Sequence, residues 1–318
     1  MYKGKSVAVV VPAHNEERLI GRVIDQMPDL VDRIVVVNDK SSDRTAEVVR
    51  GYEQKMPDRV VLIDLQVNQG VGGAIAEGYK WARDQKIEIT AVMAGDAQMD
   101  PDDLPAILDP VADGLADYTK GNRLFYGEAW SMIPRIRYLG NSGLSLLTKI
   151  ASGYWHVADS QTGYTAASLE VLETLDLDKI FKRYGMPNDM LVKLNVFDFR
   201  VGDVYVKPVY DIGETSGIRI GKVFFSIPLL LTRLFVYRMV QKYVIRDFHP
   251  LILFYFLGTL LLLLDIPLGI RLVTRWIGLG HVPPITALAI LFCTSLGLQS
   301  LLFAMLFDME ANKDLKGK

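Results

Sequence analysis

From Val282 to Phe307 the chain passes through 26 consecutive uncharged residues, mostly Leu, Ala, Ile and Phe. A helix needs about 20 such residues to cross the hydrocarbon core of a bilayer, so this stretch is expected to span one. Leu251 to Leu264 adds 14 more, and tolerating Asp265 carries the run through Ile270. A charge facing lipid is costly, but a lone late span would put the tail on the side opposite the body, whereas two spans form a hairpin with both ends on one side. Arg233, Arg238, Lys242 and Arg246 precede the first span, Lys313, Lys316 and Lys318 follow the second, and the intervening loop carries Arg271 and Arg275. Positive charge accumulates on the cytoplasmic side. The expectation is a multi-pass protein of the cell membrane, its large N-terminal body cytoplasmic. Small residues and paired charges in the spans allow a homo-oligomer.

The N-terminal run, with only Lys3 and Lys5 before it and Pro12 at its end, is too brief for a signal peptide. The single cysteine, Cys293, falls inside the second span, which excludes an intrachain disulfide and a multi-cysteine metal site. A formal net charge of -2 argues against a protein devoted to gripping nucleic acid.

Ahead of the spans one event recurs four times: a short apolar strand runs into a polar loop, and a helix with one apolar face follows. Ser6 to Val11 reads as a buried parallel strand, with the loop Pro12 to Glu17 and a helix Glu17 to Met27 carrying Leu19, Ile20, Val23, Ile24 and Met27 on one face. Arg33 to Val37 ends at Asn38 and Asp39, and a helix follows over Arg44 to Gln54 with Ser42 as its cap. Val60 to Leu65 leads into Gly70, Gly72 and Gly73. Glycines before a helix leave room for a phosphate to approach backbone amides, although a tight turn and close helix packing use the same residues. Ile89 to Ala94 then delivers Gly95 and Asp96. Such units build an α/β fold with a mostly parallel sheet flanked by helices, which binds ligands beyond the carboxyl ends of its strands. A strand-end Asp there can hold a divalent cation against phosphate oxygens, although capping the following turn is the simpler use.

Beyond Asp96, a short strand over Asp117 to Lys120 places Lys120 and Arg123 near the same crevice, where basic groups can offset pyrophosphate charge. A helix with small residues on one face covers Ile136 to Ile150, and Val157 to Ala166 is a polar turn carrying Asp159 and Gln161. Asn188 and Asp189 stand at the start of another helix, either capping it or facing an acceptor. VYVKPV reads as a strand and DIGETSGIRIGKV as a mobile loop. Phe224 to Asp247 mixes apolar residues with Arg and Lys, as one or two helices lying in a membrane interface do.

VVVPAHNEE at 9–17, VNDKSSDRT at 37–45, NQGVGGA at 68–74, GDAQMDP at 95–101, KGNR at 120–123 and DSQTGY at 159–164 together resemble the inverting, GT-A-type glycosyltransferase family 2. The likeness is strongest to the polyprenyl-phosphate hexosyltransferases similar to dolichol-phosphate mannose synthase. It implies a GT-A Rossmann-like domain over 1–222, juxtamembrane amphipathic helices over 223–248, a transmembrane hairpin over 249–310 and a cytoplasmic tail over 311–318. It implies that Pro12, Ala13, Glu16 and Asp39 cradle the base and ribose of a nucleotide-diphosphate sugar, with Gly70 and Gly73 close to the donor. Asp96 becomes the second acid of the family's Asp-x-Asp motif, holding Mg²⁺ or Mn²⁺. Ala94 stands in place of the first acid, which leaves Gln98, or a donor phosphate and waters, to complete the shell. Asp159 and Gln161 then lie beside the acceptor phosphate, with Arg123 and Lys207 as partners for anionic groups. Asn188 and Asp189 fall where relatives carry an acidic pair.

The activity implied is metal-dependent sugar transfer to a membrane polyprenyl phosphate, with Asp96, Asp159 and Arg123 at its centre. Other family 2 transfer to a lipid or polysaccharide, and an inactive membrane-bound nucleotide-sugar binder for which Ala94 argues, stay open. A processive synthase would carry more spans and a Gln-x-x-Arg-Trp motif; Arg275-Trp276 stands without the rest of it.

Overall fold

The computed structural model describes residues 1–124, 135–209 and 220–317. It divides the chain into two compact units, one comprising Met1–Arg238 with Asp314–Lys318, the other Met239–Lys313. The mobile loop expected over DIGETSGIRIGKV lies outside the described residues as far as 219, and its last four residues begin a helix.

The first unit is built on a seven-stranded sheet: β1 (Val7–Ala13), β2 (Arg33–Asn38), β3 (Val60–Asp64), β4 (Ile89–Val92), β5 (Tyr118–Asn122), β6 (Thr165–Ser168) and β7 (Val201–Tyr205). Its spatial order is β3-β2-β1-β4-β6-β5-β7. The first four strands pair in parallel, as the repeated strand and helix units require. β5 and β7 are also parallel. The sheet is mostly parallel, as expected, and is made mixed by one strand: β6 runs antiparallel to both β4 and β5. The chain leaves β5, makes a long excursion, and returns between its own departure strand and β4. β6 escapes sequence reading because it is only four residues long and, of Thr-Ala-Ala-Ser, only Thr165 has the β-branched or aromatic character that marks a strand.

β1 explains why a nearly unbroken valine run is needed. Val7, Val9 and Val11 join one core layer, whereas Ala8 and Val10 join the layer on the opposite face. Both faces are covered by helices, so polar alternation would place unpaired groups in a core. One layer packs under α1 (Ile20–Asp25), α2 (Thr45–Lys55) and α4 (Leu104–Ala112). The other packs under α3 (Val71–Asp84), a short α6 (Leu169–Thr174) and α7 (Met186–Val196). α3 lies so close to the sheet that a Cβ at Gly78 would sit 2.3 Å from Val10 Cγ1.

Two longer helices pack together on this unit. α5 (Arg135–Ser152) follows the excursion from β5, and α8 (Ile220–Val240) follows β7. Ala151, Ile227 and Leu231 form their shared core, with Leu144 and Phe235 against it. The guanidinium of Arg238, fully buried, donates to the carbonyls of Ala151 (2.9 Å) and Ile150 (3.0 Å) at the C-terminal end of α5. A cation there satisfies orphan carbonyls and meets the negative end of the helix dipole.

The second unit contains a π-helical turn over Gln241–Arg246 and two long apolar helices, α9 (Leu251–Leu279) and α10 (Pro284–Ala311). Both are long and apolar enough to cross a membrane. α9 continues past the expected end at Ile270, so Arg271 and Arg275 are helical and the turn comes at Gly280, whose φ of 73° reverses the chain. The helices cross at glycine: a Cβ on Gly258 would stand 2.8 Å from Leu301 Cδ2 and 2.9 Å from the Gly297 carbonyl. Such small-residue crossings let helix backbones approach within lipid. Asp265 accepts a 2.7 Å hydrogen bond from Thr294 on the neighbouring helix. At the other end Lys242, Tyr243, Asp308 and Asn312 form a buried network, with the Tyr243 hydroxyl donating to Asp308 at 2.7 Å. After α10 the tail adds to the sheet, where the Gly317 amide donates to the Val201 carbonyl at 2.9 Å.

Candidate active site

The ends of β1 and β2 are tied together by the polar residues of their loops. The amide of Asn15 donates to Ser41 Oγ (2.9 Å), that of Ser42 to Asn15 Oδ1 (2.8 Å), that of Glu16 to Thr45 Oγ1 (2.8 Å) and that of Glu17 to Asp43 Oδ2 (3.1 Å). Ser42 therefore ties loop to loop, and it is Asp43 that receives the Thr45 amide at the start of α2. Pro12 and Ala13 belong to β1 itself and are buried, with Glu16 half-buried beyond them.

Asp39 is 3% exposed, and its two carboxylate oxygens accept the amides of Gln69 (2.6 Å) and Gly70 (2.8 Å). Gly70 needs its φ of +80°, and a Cβ there would lie 2.5 Å from the Lys182 carbonyl. The amides of Gly72 and Gly73 both donate to that same carbonyl, at 3.0 and 3.2 Å. Gly70 and Gly73, expected to approach the donor, thus spend their amides inside the protein. Their local use is the tight turn and the close packing of the 181–182 segment onto α3.

The fourth strand end is different. Ala97 takes a left-handed φ of 58°, a conformation costing a residue with a side chain about 1–2 kcal/mol. That kink sets Asp96 and Gln98 on the wall of an open cleft. The Gln98 amide donates to Asp96 Oδ1 at 3.1 Å. Arg123 and Lys207 line the same cleft, as do Thr162 and Tyr164. Four residues chosen from sequence therefore meet in one place. Tyr164 and Thr162 received no role from the sequence, although they lie within the DSQTGY string. The Tyr164 hydroxyl holds the Asp100 carbonyl at 3.0 Å and so fixes the loop that carries Asp96.

Asp159 does not line this cleft. Fully buried, it accepts Arg123 Nε at 2.8 Å and Nη2 at 3.3 Å, and also the Arg123 backbone amide at 3.2 Å. The amides of Gln161 and Thr162 complete its partners. Burial alone would raise its pKa, but the Arg123 charge and the hydrogen bonds hold the carboxyl below the usual range. Its influence on the cleft runs through Arg123. Gln161 and Asn188 are joined behind it, Gln161 Nε2 donating to Asn188 Oδ1 at 3.0 Å, and Thr148 donates to the same oxygen at 2.9 Å. Asp189 is paired with Lys193 (2.6 Å) and accepts the Phe181 amide (2.8 Å). Asn188 and Asp189 thus hold α7 to its surroundings and do not line the cleft.

Behind Arg123 lies a second layer of charge, of which the sequence disclosed Lys120 but not Asp203. Lys120 is fully buried and donates to the Thr162 carbonyl at 2.5 Å; burial pushes its pKa down to about 8 against the pull of Asp159. Asp203 Oδ2 accepts from Asn122 (2.9 Å) and the Ala158 amide (3.3 Å), whereas Oδ1 is buried with no hydrogen-bond partner among the described residues. Burial raises the Asp203 carboxyl to about 6. The folded state then holds a proton that the unfolded state has released between about pH 4 and pH 6, so this group lowers stability as pH rises through that window. Asp203→Asn keeps both acceptor contacts and is expected to stabilise the protein at pH 7 by about 1–3 kcal/mol, at 1.36 kcal/mol per unit. Denaturant unfolding at pH 4.5 and 7 checks this, the gain being expected to shrink at the lower pH.

Among the described residues no group of three His, Cys, Asp or Glu side chains is placed to hold a metal alone. Mg²⁺ and Mn²⁺ sites on phosphate substrates commonly use one or two carboxylates, the other positions going to water and phosphate. The Asp96 wall fits that chemistry. The Glu16 carboxyl is raised to about 7, by burial first and then by the charges of Asp96 and Asp43, which marks an anionic region that a cation would relieve.

Residues 8–176 match the profile of glycosyl transferase family 2, more than half of the 318-residue chain. The UDP-N-acetylglucosamine–dolichyl-phosphate N-acetylglucosaminyltransferase of Methanococcus voltae is 28% identical, over 71% of this chain and 96% of its own length. The undecaprenyl-phosphate mannosyltransferase of Micrococcus luteus is 28% identical, over 66% and 86% respectively. Among solved structures, glucosyl-3-phosphoglycerate synthase from Mycobacterium tuberculosis, in complex with Mn²⁺, uridine diphosphate and glucosyl-3-phosphoglycerate, aligns with a TM-score of 0.54 at 20% identity, covering 74% of this chain and 80% of that one. At that identity the likeness speaks for the fold.

Proposed function

The chain belongs to glycosyl transferase family 2, and from that membership we propose that it transfers a sugar, with inversion, from a nucleotide-diphosphate sugar to the phosphate of a membrane polyprenyl phosphate, dolichyl or undecaprenyl. The observation that carries the reading is the cleft beyond β4, whose lining brings the acid Asp96 together with the bases Arg123 and Lys207. Two relatives named for transfer to dolichyl or undecaprenyl phosphate support the acceptor class. The two long apolar helices support it as well, because an acceptor with an isoprenoid tail stays in the bilayer.

In this reading Pro12, Ala13, Glu16 and Asp39 border the donor nucleotide, and Asp96 with Gln98 would hold Mg²⁺ or Mn²⁺. The cation, when bound, offsets negative charge that grows on the leaving diphosphate. Arg123, oriented by Asp159, and Lys207 bring the acceptor phosphate to the sugar's anomeric carbon. A lipid phosphate is already an anion at neutral pH, so the chain has to position it and need not deprotonate it. The catalytic body over 1–222 works on the cytoplasmic side, and 223–310 hold it to the membrane.

The test is a screen of radiolabelled nucleotide sugars against membranes containing polyprenyl phosphate, with the product identified by mass. Label appearing as a sugar-phosphate lipid is the expected result. Transfer only to water-soluble phosphates, or binding of the donor without turnover, would replace this reading with another phosphate acceptor or with the inactive binder.

A further inference from the structure

Two carboxylates meet where the excursion between β5 and β6 leaves the sheet and returns to it. Asp159 takes the side chain and the backbone amide of Arg123. Asp203, on β7, takes the residue just ahead of each member of that pair: its Oδ2 accepts from Asn122 Nδ2 at 2.9 Å and from the Ala158 amide at 3.3 Å. The two strands concerned are neighbours in parallel register, Lys120 opposite Asp203 and Asn122 opposite Tyr205. Asn122 is fully buried and its carbonyl accepts the Val206 amide at 3.1 Å, so main chain and side chain alike fix the exit to the β7 segment. The return is built differently, because Ala158 and Asp159 lie in the loop ahead of β6 and outside any strand. Arg123 is therefore oriented by a carboxylate that itself sits on a loop, and the bond from Ala158 to Asp203 ties that loop to the sheet. A side chain that meets a ligand holds its direction only as well as the groups behind it are held.

We propose that Asp203 is a positioning residue for the acceptor phosphate: acting through Asn122 and Ala158, it holds both ends of the Arg123–Asp159 pair against β7 and so sets the direction in which the guanidinium faces the cleft. The proposal deepens the transfer reading and rests on its assignment of Arg123 to that phosphate. Asp203 is not among the residues that line the cleft, so it acts only through others. Its effect falls on the anion that Arg123 meets. The nucleotide, bordered in the same reading by Pro12, Ala13, Glu16 and Asp39 at the ends of β1 and β2, lies outside its reach.

The test uses the full chain in nanodiscs and measures binding by calorimetry, with farnesyl phosphate as the acceptor probe and UDP or GDP, whichever the parent binds more tightly, as the nucleotide probe. Asp203→Ala is expected to weaken farnesyl phosphate by about tenfold or more, the scale of one charged hydrogen bond lost or misdirected, with nucleotide affinity changed less than about twofold. Asp203→Asn offers an oxygen to both donors and should recover acceptor affinity to within about threefold of the parent. Should Asp203→Ala fail to fold, Asn122→Ala takes its place, with a smaller loss confined to the same ligand. Parental affinity for farnesyl phosphate in the alanine variant overturns the proposal. Equal weakening of both probes also overturns it, since that is the signature of a loosened fold, and so does a failure of Asp203→Asn to recover the acceptor. A parent that binds nucleotide but no farnesyl phosphate overturns the acceptor reading itself, a result visible before any variant is compared, so the two fail separately.

Discussion

Asp96→Ala is expected to lower sugar transfer by about 10²–10³-fold, the range seen when one preorganised charge-stabilising group is removed from an active site. Asp96 is half-buried on a cleft wall, outside both core layers, so the variant should fold, with unfolding free energy within about 0.5 kcal/mol of the parent. Depleting divalent cations from the parent enzyme should reproduce the loss, and added Mn²⁺ should restore the parent but not the variant. Parental turnover in Asp96→Ala would remove this carboxylate from the reaction and, with Ala94 beside it, would leave the strand end without an acid to hold a cation.

Asp159→Leu is expected to act on stability first. It strips the carboxylate that balances a fully buried Lys120 and a largely buried Arg123, and breaking a buried ion pair from one side costs about 3–5 kcal/mol. Asp159→Asn retains the shape and should cost less. A Lys120→Met substitution in the Asp159→Leu background should recover part of the loss, because it removes the charge left stranded, and the double-mutant cycle measures that coupling. The carboxyl of Asp159 is held below its ordinary pKa. Its contribution is therefore present above the ordinary carboxylate range and fades as pH falls through the depressed value. The parent's advantage over Asp159→Asn should accordingly persist at neutral pH and narrow in acid. A cost below about 1 kcal/mol for Asp159→Leu would mean the pair is more hydrated than its burial indicates.

The parts of this architecture that sequence reveals are those with a strong local pattern. Valine runs buried on both faces disclose β1 and β2, and 26 uncharged residues disclose the second apolar helix, because each requirement is satisfied within one segment. Asp96, Gln98, Arg123 and Lys207 meet in the cleft because strand ends collect on one edge of the sheet, a consequence of topology that needs no side-chain detail. What stays hidden depends on partners distant in sequence. Nothing near Asp159 says that it turns inward to Arg123, 36 residues away, and nothing near Gly73 says that its amide is claimed by Lys182. The same holds for Asp203, whose carboxyl is raised by burial among segments distant in sequence, against the opposing hydrogen bonds from Asn122 on β5 and from the Ala158 amide in the loop after α5.

The clasp between Arg123 and Asp159 also has a mechanical side. These two residues are the roots of an excursion over 124–158, and three hydrogen bonds, one from the backbone, join them where it leaves and re-enters the sheet. The guanidinium thus meets an incoming anion already oriented, its backbone amide and its side chain both anchored on one carboxylate.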